Sequence, residues 1–474
     1  MISKGTAMSS AALTEPSAKS LNDAALIAHL HRLRRTDNLT NWYYLLRTYL
    51  YLALVLGGTV WFYEYQAASG LSFWWNVPVT LVAIVLVGAG QHQLSGLAHE
   101  GSHHILFRGR YLNELASDWL CMFPLFSTTH HYRLQHHAHH QFVNDPLRDP
   151  DVSQLQTSGH WLPFPLPKKT FLLTLLKQLW VPNLIRFMRV RAQYNAVGTD
   201  KNPYLRKGWK PSKAPVLVGA GYLAGLILLL WGLVSLGNPL LLAVVPVAAL
   251  VPVLLYFYLV PDAKFHQSRV RPVVHQRWMS MGRIVYASAL FNALAWVAFL
   301  TGRPTALYFF LLWLVPLFTS FSFFMILRQL VQHGNGDRGW LTNTRVFLVH
   351  RFINFAVFPI GQDYHLPHHL YASVPHYRLR ELHNILLEYP EYRENVVVVE
   401  GYFLPRHRPP TAPTVLDVLG PAYAPREFRG VHIDNSVLED EEVEDRDAIL
   451  REGEQEVERL RQSAESNAGA SPQR

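Results

Sequence analysis

Six apolar stretches, each long enough to cross a lipid bilayer, most constrain how this chain can fold. A transmembrane helix needs about 20 largely apolar residues, because it must cover the hydrocarbon core. The even number of these stretches and the short connections within three pairs of them predict an all-α integral membrane protein with about six transmembrane helices paired as three hairpins. The stretches are Trp42–Tyr63, Trp74–Ala98, Pro215–Leu236, Leu240–Val260, Ile284–Leu300 and Thr305–Leu327.

Charge and cysteine content agree with this class and exclude others. Only 16% of the residues are charged and 50% are hydrophobic, whereas soluble domains carry about 25% charged residues. The net charge of +9 comes from loops between the apolar stretches and no nucleic-acid motif is present, so we expect no nucleic-acid partner. The single cysteine, Cys121, excludes an internal disulfide, a cysteine-bound cluster and a thiolate zinc site. Any metal must therefore be held by His, Asp or Glu.

The loops between the stretches alternate in charge, which predicts the orientation in the membrane. Three connections are short and contain one basic residue, Arg303. The others are long and basic, and the positive-inside rule places them and both termini in the cytosol. We expect no cleaved signal peptide and either the bacterial inner membrane or the endoplasmic reticulum. The basic loop residues are Lys168, Lys169, Arg186, Arg189, Arg191, Lys207, Lys210, Lys264, Arg269, Arg271, Arg277 and Arg283.

The chain divides into three regions by composition. Residues 1–41 form a polar cytosolic segment, residues 42–404 the membrane domain, and residues 405–474 a proline-rich and then acidic tail. Such a tail is expected to be solvated and partly disordered. Two further apolar stretches, Tyr111–Phe126 and Phe347–Ile360, contain charged residues, and we expect them to form helices lying in the membrane interface.

Histidines form three clusters just after apolar stretches. Residues three or four apart on a helix share one face, so each cluster presents several imidazoles together. The hairpin arrangement puts all three clusters on the cytosolic side, where they predict a metal-binding cap. Nine histidines exceed the four ligands of one tetrahedral zinc ion, so we expect two metals; imidazole suits zinc, copper, iron and nickel alike. The clustered residues are His99, His103, His104, His136, His139, His140, His365, His368 and His369.

Acidic residues beside these clusters are candidates for orienting the imidazoles. A metal-bound histidine usually donates its second N–H to a carboxylate or carbonyl, which fixes the ring. Capping of loops is the alternative role for the aspartates. His137 lies on a different helix face from His136 and His140, so we expect it at the surface. The acidic candidates are Glu100, Asp145, Asp149 and Asp151.

The segments AHEGSHH, HHAHH followed by DPD, and GQDYHLPHHLYASVPHYRLRELH resemble the three histidine boxes of the membrane fatty acid desaturase family, which includes lipid and carotenoid hydroxylases and ketolases. The similarity runs over residues 40–388. It implies ligand roles for the nine clustered histidines and for one more, His333 in RQLVQHG. Two positions depart from common family patterns: Gln332 stands where an acidic residue often precedes this histidine, and Pro367 where glutamate is frequent.

The resemblance also implies chemistry and partners. Family members use two ferrous ions and dioxygen to form a carbon–carbon double bond in a long-chain lipid or acyl substrate. No dinucleotide-binding turn, ferredoxin-type cysteine set or cytochrome b5-like segment occurs in the sequence, so an external donor of the ferredoxin or cytochrome b5 type is expected. A hydroxylase or ketolase of the same fold is the alternative. A histidine-rich metal transporter is a third interpretation, but it would need ligands near mid-membrane.

Overall fold

The computed structural model describes residues 19–197, 202–206, 208–209, 212–423, 431–451, 455 and 458. Lys207 and Lys210 of the predicted basic loop lie outside the described residues, as do residues 1–18 of the N-terminal segment and most of the tail beyond residue 451.

Helices dominate the described part of the chain. In order they are α1 (Ala24–Leu33), α2 (Thr40–Ser69), α3 (Asn76–Ser102), α4 (Arg110–Ser117), α5 (Thr129–Gln141), α6 (Pro150–Ser158), α7 (Lys168–Gln178), α8 (Val181–Val197), α9 (Lys213–Leu236), α10 (Pro239–Leu259), α11 (Gln276–Thr301), α12 (Thr305–Phe309), α13 (Val315–Phe318), α14 (Ser320–Gln332), α15 (Arg351–Val357), α16 (His365–Leu370), α17 (Leu379–Leu386), α18 (Pro390–Asn395) and α19 (Val415–Val418). Two short strands, β1 (Val346–Leu348) and β2 (Val398–Glu400), pair in parallel.

Six helical segments are long and apolar enough to cross a membrane, as the sequence predicts. They are Thr40–Ser69, Phe73–Ser102, Lys213–Leu236, Pro239–Leu259, Gln276–Thr301 and Thr305–Gln332. The last consists of α12, a π-helical turn, α13 and α14. Large apolar side chains such as Leu54, Trp231 and Leu240 are exposed on these segments. Exposed apolar surface of this extent marks contact with lipid, so the chain is an integral membrane protein.

Helix α3 is the central element, because it is buried on all sides over its C-terminal half. It packs against α2, α5, α14 and α15. Small residues allow this close approach: a Cβ atom at Gly88 would lie 2.1 Å from Ser320 Oγ, and one at Gly101 would lie 2.3 Å from Ser117 Oγ. The hydroxyl of Ser320 donates a hydrogen bond to the carbonyl of Ile84. The end of α3 is therefore held rigidly beneath the cap.

The cap consists of segments outside the spans that pack around the end of α3. Strands β1 and β2 lie in its core, where Phe347 stacks on Phe358 and Val399 is buried. Helix α1 adds an apolar face to α17, with Leu26 and Leu33 buried against it. The basic and histidine side chains of α1 stay exposed. Segments far apart in sequence thus hold the cap together.

The two predicted interfacial helices differ in outcome. Tyr111–Phe126 is helical: α4 is followed by a π-helical turn, Asp118–Met122, and a 3-10 turn, Phe123–Leu125. Phe347–Ile360 is not one helix, because its first residues belong to β1 and only Arg351–Val357 is helical. The β-branched and aromatic residues at its start suit a strand, and their partner strand lies fifty residues away, beyond any local pattern.

Candidate metal centre

Nine of the ten predicted histidine ligands converge in the cap as two adjacent groups. The first contains His99, His103, His136, His140 and His368; the second contains His139, His333, His365 and His369. Within each group the candidate ligand atoms lie within 4.8 Å of one another. The second and third clusters are each divided between the groups, because neighbouring histidines on α5 and on α16 point to both sides, whereas His99 and His103 of the first cluster both belong to the first group.

The first group joins the end of α3, the middle of α5 and α16. His136 Nε2 lies 2.9 Å from His103 Nε2 and 3.1 Å from His140 Nε2. His368 Nε2 lies 3.0 Å from His140 Nε2. The four-residue spacing of His136 and His140 puts both rings on one face of α5, as the sequence predicts.

The second group joins α5, α16 and the residue that follows α14. His333 Nε2 lies 3.2 Å from His139 Nε2 and 3.0 Å from His365 Nε2. His369 Nε2 lies 3.1 Å from His365 Nε2. His333 therefore stands among ligands from the second and third clusters, in the place that the family resemblance implies.

The spacing of these nitrogen atoms fits metal ions. Imidazole nitrogens bind metals at about 2.1 Å, so two ligands at right angles around one ion lie about 3 Å apart. The Nε2 distances within both groups match that separation. The donor chemistry also fits, because all nine candidate ligands are imidazoles, which suit zinc, copper, iron and nickel.

Burial favours the neutral form of most of these imidazoles, and the neutral form is the one that binds metal. Burial and the neighbouring imidazoles hold the pKa of His136, His140 and His369 well below its usual value. His139 differs. Burial opposes its charge, but the carboxylates of Asp149 and Asp151 raise the pKa of His139 to about 9.

Asp149, one of the acidic candidates, contacts His139 of the second group. Its Oδ1 accepts hydrogen bonds from His139 Nδ1 at 2.9 Å and from the backbone N–H of Asp151 at 2.9 Å. Its Oδ2 accepts from the backbone N–H of Asn144. Asp149 is also the N-cap of α6, so one carboxylate caps a helix and turns Nε2 of His139 toward the second group.

The other acidic candidates lie in different surroundings. Glu100 is buried, with Oε1 3.5 Å from His99 Nδ1 and Oε2 bonded to the backbone N–H of His376. Asp145 contacts Arg148 and Arg338 and no histidine among the described residues. Asp151 lines a cavity beside the centre. His333 instead donates its Nδ1–H to the carbonyl of Asn343 at 3.0 Å.

We expect Asp149→Asn to weaken metal binding at the second group by about tenfold to a hundredfold. Asparagine keeps the capping function of residue 149, so α6 should remain folded, but it no longer offers His139 a charged acceptor. Metal affinity measured by competition with a chelator tests this. Asp145→Asn is the matched control, and an equal loss of affinity in both variants would contradict the orienting role of Asp149.

His104 lies outside both groups. Helix α3 ends at Ser102, and a left-handed backbone at His104 (φ 58°) turns its side chain away from the centre. Its Nε2 bonds to Glu441 Oε1 at 2.8 Å. His137, predicted at the surface, is buried and bonds to the same oxygen at 3.0 Å. The surface prediction for His137 is wrong because a distant segment covers that face of α5.

The covering segment is the acidic stretch of the tail. Glu441 is 8% exposed, which differs from the solvated tail that composition predicts. Although burial opposes its charge, the bonds from His104 and His137 and the nearby Arg133 guanidinium hold the pKa of Glu441 well below its usual value. Arg133 itself is fully buried and pairs with Glu114 at 2.6 Å. Glu441, His104, His137, Arg133 and Glu114 therefore form a polar cluster beside the candidate metal centre.

Gln362 is a neighbour of the centre that sequence patterns did not indicate. Its Nε2 lies 3.1 Å from His99 Nε2, and its Oε1 accepts from Gln332 Nε2 at 3.0 Å. Gln332, one of the two departures from the family pattern, thus reaches the first group through Gln362. The glycine before it in GQDYH, with φ 74° at Gly361, was the available signal for a specialised turn.

The fold and the centre together define a class: a six-span membrane protein whose cap carries two groups of histidines that could hold metal ions. Comparison with known families agrees. The family model for fatty acid desaturase matches residues 72–279 and 260–400, which is well over half of the chain. The chain belongs to the fatty acid desaturase family.

Two curated relatives show local similarity. The dihydrorhizobitoxine desaturase of Bradyrhizobium elkanii is 32% identical over 87 residues, which is 18% of this chain and 24% of that protein. The Delta(5) fatty acid desaturase fat-4 of Caenorhabditis elegans is 31% identical over 129 residues, 27% of this chain and 26% of that protein. The matches thus span about a quarter of the length of each relative.

Proposed function

We propose that this protein is an oxidoreductase that introduces a carbon–carbon double bond into an acyl or lipid substrate, with dioxygen as co-substrate and two iron ions as cofactor. The convergence of nine histidines, eight of them buried and His333 half-buried, into two adjacent groups is the observation that supports this best. The family assignment and the two relatives named as desaturases support the same reaction.

Two iron ions bound by the two groups would supply the dioxygen chemistry that removes hydrogens from an unactivated carbon chain. Loss of two hydrogens from the substrate and reduction of dioxygen to two waters need two further electrons and two protons. The chain contains no redox cofactor motif of its own. We propose that a protein of the ferredoxin or cytochrome b5 type supplies the electrons.

The protein's own residues hold and shield the centre. Asp149 and the carbonyl of Asn343 fix the rings of His139 and His333 through their Nδ1 atoms. Burial of the ligands excludes bulk water, which limits side reactions. Helices α5 and α16 each contribute histidines to both groups, and the end of α3 contributes two to the first group, so the same elements would hold both sites.

We propose that the cap and both termini face the cytosol. The ligands come from the C-terminal ends of the second and sixth spans and from the segments that follow them. The loops on that side are basic, whereas the three short connections on the other side contain one basic residue. The positive-inside rule favours this orientation, which places the centre where soluble donors are available.

A basic rim beside the first group is the candidate docking site for that donor. A surface cavity of about 760 Å³ reaches His103 and His104. Four exposed arginines line it, Arg34, Arg35, Arg108 and Arg110, together with Glu439, Asp440 and Glu441, so basic residues exceed acidic ones by one. Complementary charge mainly raises association rates, so the exposed arginines would attract an acidic donor to the cavity that reaches His103.

We expect the double variant Arg34→Glu/Arg35→Glu to need about tenfold more donor for half-maximal turnover at low salt. Neither side chain has a hydrogen-bond partner in the described ranges, so their loss should not unfold the cap. The difference should shrink at high ionic strength, because salt screens exposed charges. Turnover measured against concentration of reduced ferredoxin tests it, with Arg303→Glu as the control. A salt-independent loss would contradict docking at this rim.

Lipid mass spectrometry on cells that express the chain tests the proposed reaction. The wild type should yield one lipid class that has lost two hydrogens. His136→Ala/His139→Ala, which removes one ligand from each group, should yield none. Purified wild-type protein should contain iron, and the double variant should not.

Other results of this experiment have definite meanings. Addition of one oxygen atom to the product would assign the chain to the hydroxylases and ketolases of the same fold. Wild-type protein that binds another metal in place of iron would overturn the iron assignment. Product formation by the double variant would show that the two groups do not carry the reaction.

A further inference from the structure

Two arginines are buried beside the candidate metal centre and take no part in it. Arg328 on α14 is 5% exposed, and Arg191 on α8 is 9% exposed. Both line a small cavity whose wall also includes His99, His136 and His139. The cavity therefore touches both groups of ligands.

Neither guanidinium has an ion-pair partner in the described part of the chain. Arg328 makes no side-chain hydrogen bond there, and its Nε is buried without an acceptor. Arg191 donates only to Gln154 Oε1, at 3.3 Å. The Arg191 guanidinium also lies 5.9 Å from the ring centroid of Tyr132, a cation–π contact. A buried charge without an ion-pair partner is costly, so two such arginines at one cavity need stabilisation beyond these weak contacts.

Arg133 is a buried arginine whose contacts are all within the fold, and it serves as a comparison for Arg328. It pairs with Glu114 at 2.6 Å and donates to the carbonyls of Gly101 and Ser102. Arg328 lacks every one of these features, although it sits in the last membrane span, four residues before its end. Charged residues within spans face cavities and mark substrate pathways. We therefore assign Arg328 a role in ligand binding rather than in stabilising the fold.

The net positive charge around the cavity favours the binding of one anion. Asp151 also lines the cavity and offsets one of the two arginines without contacting either within ion-pair distance. The remaining positive charge faces Gln154, whose Nε2 has no acceptor. Among the described residues of this wall, two buried donors, Arg328 Nε and Gln154 Nε2, lack an acceptor, and one buried acceptor, Gln329 Oε1, lacks a donor. This excess of N–H donors fits a singly charged oxygen anion, and a planar carboxylate matches the guanidinium geometry.

A second cavity offers space for an apolar part of the same ligand. It has a volume of about 400 Å³ and shares His139, Asp151 and Gln329 with the first. Its wall includes the apolar side chains of Leu155 and Phe164. One polar and one largely apolar compartment thus meet at a metal ligand, His139.

We propose that Arg328, with Arg191, holds the carboxylate of the substrate beside the metal centre, so that the substrate is a carboxylic acid that reacts close to its charged end. This proposal rests on the proposed function and names its substrate class. It makes Arg328 a binding residue that selects an acid over a neutral lipid and sets which carbons lie next to the centre.

Thermal unfolding of the purified full-length protein in detergent tests the proposal with three probes: palmitate, hexadecyl phosphate and hexadecanol. Palmitate should stabilise the wild type most. In Arg328→Gln its apparent affinity should fall by about tenfold or more, because a charge-assisted bidentate contact is lost. Arg328→Lys should recover part of the affinity. Arg303→Gln, an exposed arginine in a short loop, should match the wild type.

Equal stabilisation by palmitate and hexadecanol, or an unchanged palmitate affinity in Arg328→Gln, would overturn the proposal. Tighter binding of hexadecyl phosphate than of palmitate would assign the anion to a phosphate headgroup and overturn the carboxylate. Iron content separates this test from the proposed function: Arg328→Gln should retain the iron of the wild type, whereas an iron-free wild type would count against the metal centre itself.

Discussion

Replacing His140 or His369 by alanine should lower product formation at least about a hundredfold, since even partners outside the ligand set change activity by about that factor. Each removes one ligand from a different group. His140 Nε2 lies within 3.1 Å of two other ligands, and His369 Nε2 within 3.1 Å of His365. Product analysis together with iron content measures the effect.

The two variants should differ in which iron they lose. His140→Ala should weaken the site of five histidines, and His369→Ala the site of four, so partial iron retention is expected in each. His383→Ala is the control, because His383 is buried but bonds to Tyr392 outside the centre. Full iron content and normal turnover in either ligand variant would show that its group does not bind iron.

The largest loss of stability is expected for Arg133→Met. Removing one partner of a buried ion pair leaves an uncompensated charge and costs about 3–5 kcal/mol. Here the orphaned partner would be Glu114, and Glu441 would lose a neighbouring cation at 3.6 Å. The carbonyl of Ser102 would also lose its side-chain donor, and the carbonyl of Gly101 would keep only Asn113 Nδ2 and the backbone N–H of His104. The thermal unfolding midpoint in detergent should fall steeply.

Arg271→Met is the matched control for Arg133→Met. Arg271 pairs with Glu442, but both side chains are largely exposed, and exposed pairs contribute little. Its unfolding midpoint should therefore stay near that of the wild type. Similar midpoints for the two variants would show that the buried cluster around Arg133 does not hold the end of α3 to α5.

Local sequence patterns were sufficient to predict the six spans and to find the histidine clusters. Length and hydropathy of each apolar stretch depend only on neighbouring residues, which is why six spans were predicted in the right order. The three- and four-residue spacings likewise placed His136, His139 and His140 on one helix. The prediction of a helix over Phe347–Ile360 was wrong at its start, since the strand there depends on pairing with Val398–Glu400.

Which residues belong together was decided by the tertiary structure. Spacing treated His103 and His104 alike, yet the end of α3 sends one to the first group and the other to Glu441. Composition described Glu441 as part of a solvated tail, and nothing local distinguished Arg328 from a residue at a span end. Sequence determined what each segment can be, because periodicity is local. Burial and charge pairing come from segments hundreds of residues apart, and only their packing decides them.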